Sequence, residues 1–595
     1  MTMRRIRRSQ IVSPFGPGAI IDLVGESFVA EDAGNWRGKP EYVSFPRLAA
    51  YLRVDELRTP RPGGKLPYFR FPQWLFCFHC RGMARWSYKC EKANEAPMCE
   101  TCGGRRQLVP MRFVAVCGNG HLTDVNWFRW AHSDPRRDRN QAQCATTDLR
   151  FENRSDVGGG LRSLEVVCRR CRAHRSLENL TMKGALTQIG MKCPGTQPWQ
   201  SQADQQPCSE PLIAMQRGAS SVYFPTVVSA IDIPPESDYS ETSSVSSALS
   251  QRKDFKLLIS DPQYSLRDGI VAHIAQEMQI TPAEVEAELA SQLREEPGTE
   301  QGSPDDIHPN EWKALCTPQD RPDPRDNFIT RRAQRPDSRV SGGSSAAELA
   351  AILDDVILVD RLREVRVLTD FKRYTMRESV PANLSSPGDF LPAVEVFGEG
   401  YFLRFNESAL TSWEAQPKVR ERFGKLSARQ QAHASWLTTP TPRLVLLHTF
   451  AHLLLRNTAF EAGYSTSSLR ERLYVTPESN QPAMAGILVY TAAGDTEGTL
   501  GGLVRMGEYE RLSRLFYTSV ASAQWCSFDP VCGESPGQGP GGLSLAACHA
   551  CSLVPETSCV AANRLLDRKL LIDEEYGFFT SLATALDQVP GGGTW

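Results

Sequence analysis

The chain has 595 residues, 41% of them apolar and 23% charged, with a formal net charge of −2. This length exceeds one ordinary hydrophobic core, so several domains are expected, and the near-neutral charge excludes a globally polybasic nucleic-acid binder, leaving only local patches for such contacts. No run of 18 or more apolar residues occurs, which excludes a hydrophobic membrane-spanning helix.

Residues 1–70 read as an N-terminal α/β segment. The start, Met1-Thr-Met-Arg4-Arg5-Ile-Arg7-Arg8, is basic but lacks the apolar stretch of a signal peptide, so a cytoplasmic, reducing setting is expected. In that setting 17 cysteines point to metal rather than disulfides. Gly16-Pro17-Gly18 precedes a short apolar strand. It marks a tight turn, and its backbone amides are also candidates to cradle an anion.

Residues 71–215 form a cysteine-rich, zinc-ribbon-like region. Cys77-Phe-His-Cys80 and Cys99-Glu-Thr-Cys102 are two pairs with two-residue gaps, separated by 18 residues. Each pair can bite one zinc ion from a single turn, and two bites complete a tetrahedron. Cys168-Arg-Arg-Cys171 begins a second set. Cys193 and Cys208 are its expected partners, because Cys193-Pro-Gly195 reads as another knuckle. Cys90, Cys117, Cys144 and Cys316 receive no partner from spacing. His121, Asp124 and His132 are candidates for metal ligation or general-base chemistry. The simpler reading is a turn followed by an aromatic packing segment through Trp127 and Trp130. Arg169, Arg170 and Arg172 surround the second knuckle, and Arg136, Arg137 and Arg139 form another basic cluster. Guanidiniums on a metal-held turn suit phosphate contact, although solvated loops explain them equally well.

Residues 216–345 read as a β segment, Val222–Ile233, followed by a linker and a helical insertion. Pro234–Ser250 is rich in Pro, Ser and Glu, and 297–345 is again polar. Between them, Thr281-Pro-Ala-Glu284 is a capping box that starts a helix. Residues 346–440 form an α/β middle region with strands expected at Glu364–Leu368 and Ala393–Phe397.

The last domain spans 441–595. Leu444–Leu455 is an apolar helix carrying His448 and His452 one turn apart. Thr449 follows His448 where a zincin has its glutamate, so protease chemistry is not expected and buried core histidines are the favoured reading. A strand at Ile487–Tyr490 leads into the Gly-rich stretch Asp495–Leu503, a layout able to bind phosphate at a helix N-terminus. The chain contains no Gly-x-x-x-x-Gly-Lys-Ser/Thr, so ATP hydrolysis is not expected. Cys526, Cys532, Cys548, Cys551 and Cys559 predict one structural zinc site. Cys548 and Cys551 are one pair; Cys532 and Cys559 are the natural second pair, with Cys526 as rival for one place. Two to three structural zinc ions are expected in all.

These motifs together resemble a known family. His448…His452, a strand, Asp495…Gly498…Gly501-Gly502, then Cys548-His-Ala-Cys551, Cys559 and Asn563-Arg-Leu-Leu566-Asp567 resemble the DUF1998 domain that accompanies superfamily 2 DNA helicases. The opening Ser9-Gln10…Phe15-Gly16-Pro17-Gly18-Ala19…Asp22 and the cysteine-rich half resemble, more narrowly, the DrmB family of DISARM anti-phage systems. The resemblance covers both ends well and the middle poorly. The fold expected is α+β and multidomain, with a zinc-ribbon-like N-terminal half and a mixed α/β C-terminal domain carrying a four-cysteine zinc site. The resemblance implies a non-ATPase subunit that pairs with a DrmA-like helicase and binds DNA, single-stranded or with a single-stranded overhang. The alternatives are a metal-dependent nuclease, using His121, Asp124 and His132 or His448, His452 and Asp495, and an assembly scaffold without DNA contact.

Overall fold

The computed structural model describes residues 6–587 except 39, 93–94, 134–143, 145, 236, 238–248, 250–251, 261–263, 279, 295–306, 320, 336–348, 350, 375–377, 434–436, 438, 476–482 and 492–500. The fold is mixed helix and sheet, and the chain divides into two compact units. The first comprises Met1–Phe45, Leu52–Ser229 and Arg366–Val394; the second comprises Pro46–Tyr51, Ala230–Val365 and Glu395–Trp595. Among the described residues no helix is long and apolar enough to cross a membrane.

The first unit is built mainly from short antiparallel strands, with one parallel pairing of Glu56–Thr59 against the segment Phe390–Pro392. A six-stranded sheet runs in the order His174–Ser176, Leu164–Cys168, Leu149–Asn153, Gly82–Arg85, Trp74–Cys77, Leu108–Pro110. A three-stranded sheet places Phe113–Val116 between Leu122–Asp124 and Ile213–Gln216. Phe113, Ala115, Trp127, Trp130, Leu149 and Val166 are buried in its main apolar cluster. The Gly16-Pro17-Gly18 stretch is a packed turn. The Gly18 N–H donates to the Ala30 carbonyl at 2.9 Å, φ at Gly18 is +85°, and a Cβ there would meet the Phe371 ring at 2.4 Å. Only glycine fits, and the amide that an anion would need is already used.

The second unit is organised around the helix Pro442–Ala462. Thr441 caps it, its hydroxyl accepting from the Leu444 N–H; proline occupies the first turn, and Gly463 closes it in the left-handed region. Residues Val445 through Leu455 are all buried, so this helix is core on every side. It packs on the antiparallel strands Leu469–Val475 and Ala485–Thr491 and on the helix Tyr509–Ala523. The expected capping box forms: Glu284 accepts from the Thr281 N–H at 2.6 Å, and the Thr281 hydroxyl from the Glu284 N–H at 3.3 Å. The polar stretch expected as linker over 297–345 holds more structure than its composition suggests. Ile307–Cys316 is a helix and Ile329–Arg332 a strand. Buried Glu311 on that helix accepts from Arg472 at 2.7 Å and from the Tyr474 hydroxyl at 2.9 Å. A buried carboxylate persists only when paired in this way.

The Gly501-Gly502 loop also differs from expectation. Its amides face the buried carboxylate of Glu399, which accepts from the Gly501 N–H and, at 2.8 Å, from the Leu503 N–H. An internal carboxylate occupies the place of the expected phosphate. Asp495 and Gly498 lie outside the described residues.

Candidate metal centres

Among the described residues, the structure gathers cysteine, histidine and glutamate side chains into five groups whose ligand atoms lie within 4.8 Å of one another. Two to three were expected. A tetrahedron of zinc–sulfur bonds of about 2.3 Å has edges of about 3.8 Å, which sets the standard for each group.

Cys77, Cys80, Cys99 and Cys102 meet as their spacing suggests. Cys77 ends a strand, and Cys99 and Cys102 flank a single tight turn. The Cys77–Cys102 and Cys80–Cys99 sulfur separations are 3.9 and 3.6 Å. Gly103 and Gly104 both take positive φ and close the knuckle. Burial pushes the Cys77 thiol up, but the N–H groups of Cys80 and His79 together with the Cys80 and Cys99 thiols outweigh it and leave the thiol lowered to about 7.

The second expected set is corrected. Cys168 and Cys171 do not meet Cys193 and Cys208; each pair has other partners. Cys193 and Cys208 join Cys117 and His121, with Cys117–Cys193 at 3.6 Å, Cys117–Cys208 at 4.0 Å, and His121 Nδ1 at 3.4 Å from Cys117 and 3.5 Å from Cys193. The physical reason is strand pairing. Ile213–Gln216, just after Cys208, pairs with Phe113–Val116, whose end carries Cys117 and the turn to His121. The Cys193-Pro-Gly195 knuckle itself forms, with the Gly195 N–H directed at the Cys193 sulfur at 3.5 Å.

Cys168 and Cys171, at the end of the strand Leu164–Cys168, instead meet Cys144 and His132. Cys144–Cys168 is 3.8 Å and His132 Nε2 lies 3.3 Å from Cys171. His132 sits at the C-terminal end of the helix Trp127–Ala131, and its Nδ1 faces the Phe128 carbonyl at 2.8 Å. That hydrogen bond fixes the ring with Nε2 toward the sulfurs, as in metal-binding histidines. The packing reading of His121 and His132 is therefore incomplete. The two also belong to different groups, and Asp124 joins neither, accepting instead from the Gln73 and Trp74 N–H groups. One sequence signal pointed here. Two unassigned cysteines and two histidines in the cysteine-rich region complete two four-ligand sets.

The C-terminal cysteines sort into Cys526, Cys532, Cys548 and Cys551. Cys526–Cys548 is 3.5 Å, and Cys532–Cys551 and Cys548–Cys551 are both 3.8 Å. Both Cys526 and Cys532 are members, and the expected ligand Cys559 is not. Asp529 braces this knuckle, accepting from the Cys526 and Gly533 N–H groups at 2.7 and 2.9 Å and from Arg568. From the long helix, Arg456 donates to the carbonyls of Ala550 and Leu553 at 2.9 and 3.0 Å. Cys559 turns away because its sulfur accepts from the Ala561 and Asn563 N–H groups at 3.3 and 3.2 Å and faces His448. Cys90 and Cys316 belong to no group among the described residues.

Of the expected DNA contacts, Arg169, Arg170 and Arg172 are exposed on the Cys168–Cys171 turn. Arg169 pairs with Asp148 at 3.4 Å, and Arg172 takes φ +60° to close the turn. Arg136, Arg137 and Arg139 lie outside the described residues.

The groups made of cysteine and histidine fit structural zinc sites: four protein ligands each, soft donors, tetrahedral edge lengths. Comparison with known proteins agrees. Residues 450–552 match the family described as the MrfA Zn-binding domain, a span containing Cys526, Cys532, Cys548 and Cys551 but not Cys559. Residues 7–224 match a domain of unknown function, DUF8724, which contains all three N-terminal groups. The chain is 31% identical over 602 aligned residues to the DISARM protein DrmB of Bacillus paralicheniformis, covering 94% of this chain and 100% of that protein. With identity sustained along both proteins, this chain belongs to the DrmB family of the DISARM defence system.

Proposed function

We propose that the chain is a zinc-tied accessory subunit of a DISARM complex that hydrolyses no ATP itself, pairs with a superfamily 2 helicase and holds DNA for it. The observation that carries this reading is the basic turn at Cys168–Cys171. Arg169, Arg170 and Arg172 stand exposed on a loop whose two cysteines belong to a four-ligand group, so the backbone that carries these guanidiniums is held in place before any phosphate arrives. Phosphate contact through them is charge-driven and sequence-independent. The sequence carries no Gly-x-x-x-x-Gly-Lys-Ser/Thr loop, which supports leaving ATP hydrolysis to the partner in this reading.

The test is co-expression with the helicase of the same defence system, followed by DNA binding at several salt concentrations. The helicase should co-purify, and the isolated chain should show no ATPase activity. Replacing Arg169, Arg170 and Arg172 together by Ala should weaken DNA binding and flatten its salt dependence by roughly 0.7–0.9 of a log–log slope per lost phosphate contact. An intact complex with unchanged DNA affinity would favour a scaffold without DNA contact at this turn.

A further inference from the structure

The fifth group, His448, His452, Glu471 and Cys559, differs from the other four in chemistry and burial. It draws on three elements: the helix Pro442–Ala462, the strand Leu469–Val475, and the loop after the C-terminal knuckle. His448, His452 and Glu471 are 1%, 0% and 2% exposed. His448 Nε2 lies 3.2 Å from Cys559 Sγ and 3.2 Å from Glu471 Oε1, and His452 Nε2 lies 3.6 Å from that same oxygen. These are the edges of a tetrahedron with bonds of about 2.0–2.3 Å.

The surroundings orient every ligand inward. His448 Nδ1 faces the Leu565 carbonyl at 3.3 Å, and His452 Nδ1 faces the Ser552 carbonyl at 2.8 Å. A ring that donates from Nδ1 to a carbonyl presents the lone pair of its Nε2, as metal-binding histidines do. Cys559 accepts two backbone N–H bonds, an arrangement that favours the thiolate. Glu471 Oε1 accepts from the Val560 N–H at 3.1 Å. Four electron-rich atoms thus point at one another in a dry interior. His452 Nε2, one of the four converging atoms, is buried without a hydrogen-bond partner. An unsatisfied buried polar atom is costly, and a cation bound at this nitrogen removes that cost.

We propose that His448, His452, Glu471 and Cys559 bind a further zinc ion, in a closed mixed-ligand site distinct from the four-cysteine knuckle. One carboxylate and one thiolate neutralise the divalent charge, which suits a buried site better than four thiolates. Two imidazoles, one oxygen and one sulfur fit the borderline-soft character of zinc. With all four positions filled by protein, the site is structural. It ties the central helix to the sheet and to the Asn563–Asp567 segment. The pair His448/His452 is therefore not simply core, and the cysteine left over from the C-terminal cluster has its own role.

The direct test is anomalous diffraction from crystals of the full chain, above and below the zinc absorption edge. A zinc peak within bonding distance of His448 Nε2, His452 Nε2, Glu471 and Cys559 is expected. No zinc peak there, in crystals showing zinc at the other groups, would overturn the proposal and leave a histidine–carboxylate–thiolate ion cluster in its place. In solution, Cys559→Ser and His448→Ala should each lower the zinc content by one ion per chain. A folded variant with unchanged zinc would count against the site, and if neither variant folds, the wild-type diffraction result decides.

Discussion

Arg373 carries a charge into the interior of the first unit. Its guanidinium is 0% exposed and donates to the carbonyls of Gly18, Gly120 and Val222 at 2.8, 3.0 and 2.6 Å, with the Phe371 ring 4.7 Å away. Burial pulls its pKa down to about 9, which still leaves it charged at neutral pH. The three carbonyls belong to three segments far apart in sequence: the Gly-Pro-Gly turn, the turn between Cys117 and His121, and the short helical turn Ser220–Val222. One side chain therefore positions a metal-bearing turn from behind. Arg373→Met should cost about 3 kcal/mol of stability, because it leaves the buried Gly18 and Val222 carbonyls unpaired, while Gly120 keeps only its bond from Gln197. Chemical denaturation measures this, and a loss well under 1 kcal/mol would show that the loops hold themselves. Nothing in the sequence around Arg373 marked it. Asn563 and Asp567, by contrast, stood out as a motif, and their roles prove to be bracing. Asn563 takes φ +56° and bonds both backbone groups of Val554, and Asp567 receives Arg422 in a two-pronged pair at 2.7 and 3.0 Å.

At the scale of elements, the recurring unit is the knuckle, a tight turn that aims backbone N–H groups and two sulfurs at one point. Gly195 shows how tightly it is built. Its φ is +69°, and a Cβ there would stand 1.8 Å from the Gln206 carbonyl oxygen. Gly195→Ala should destabilise the first unit by roughly 1–3 kcal/mol through backbone strain alone, with further loss from the displaced 206–208 segment. A thermal melt with parallel zinc analysis should show a lower midpoint and weakened metal retention; an unchanged melt would contradict this reading of the knuckle. The same unit explains what was legible in the sequence. The Cys77/Cys80/Cys99/Cys102 set was readable because each pair lies on one turn. The two histidine-containing sets were not, because their ligands are brought together by strand pairing and by the end of a short helix. The choice among Cys526, Cys532 and Cys559 depended on which way the chain turns after Cys551, which spacing does not record. The capping box, the long helix and the strands near 364–368 and 393–397 followed from local pattern. The helix Ile307–Cys316 did not, because its buried Glu311 reads as a surface charge until Arg472 is placed beside it.

At the scale of the whole molecule, candidate metal-ligating groups occur in both units: among the described residues, three in the first and two in the second, the mixed site included. The first unit's strands are short and its loops long, so metal supplies cross-links that a larger core would otherwise provide. In the second unit the core is extensive, and the knuckle closes it at one end. Membership of the DrmB family gives this architecture its context, a component of the DISARM defence system. Because ligand binding and local folding are one equilibrium, removing metal should unfold the knuckles. The most direct measurement is zinc quantification on the full chain purified without added metal, before and after prolonged chelation. The account predicts at least four zinc ions per chain, with a fifth if the His448 site is filled, and loss of cooperative unfolding once they are removed. Fewer than four zinc ions in a folded chain, or an unchanged melt after their removal, would contradict it.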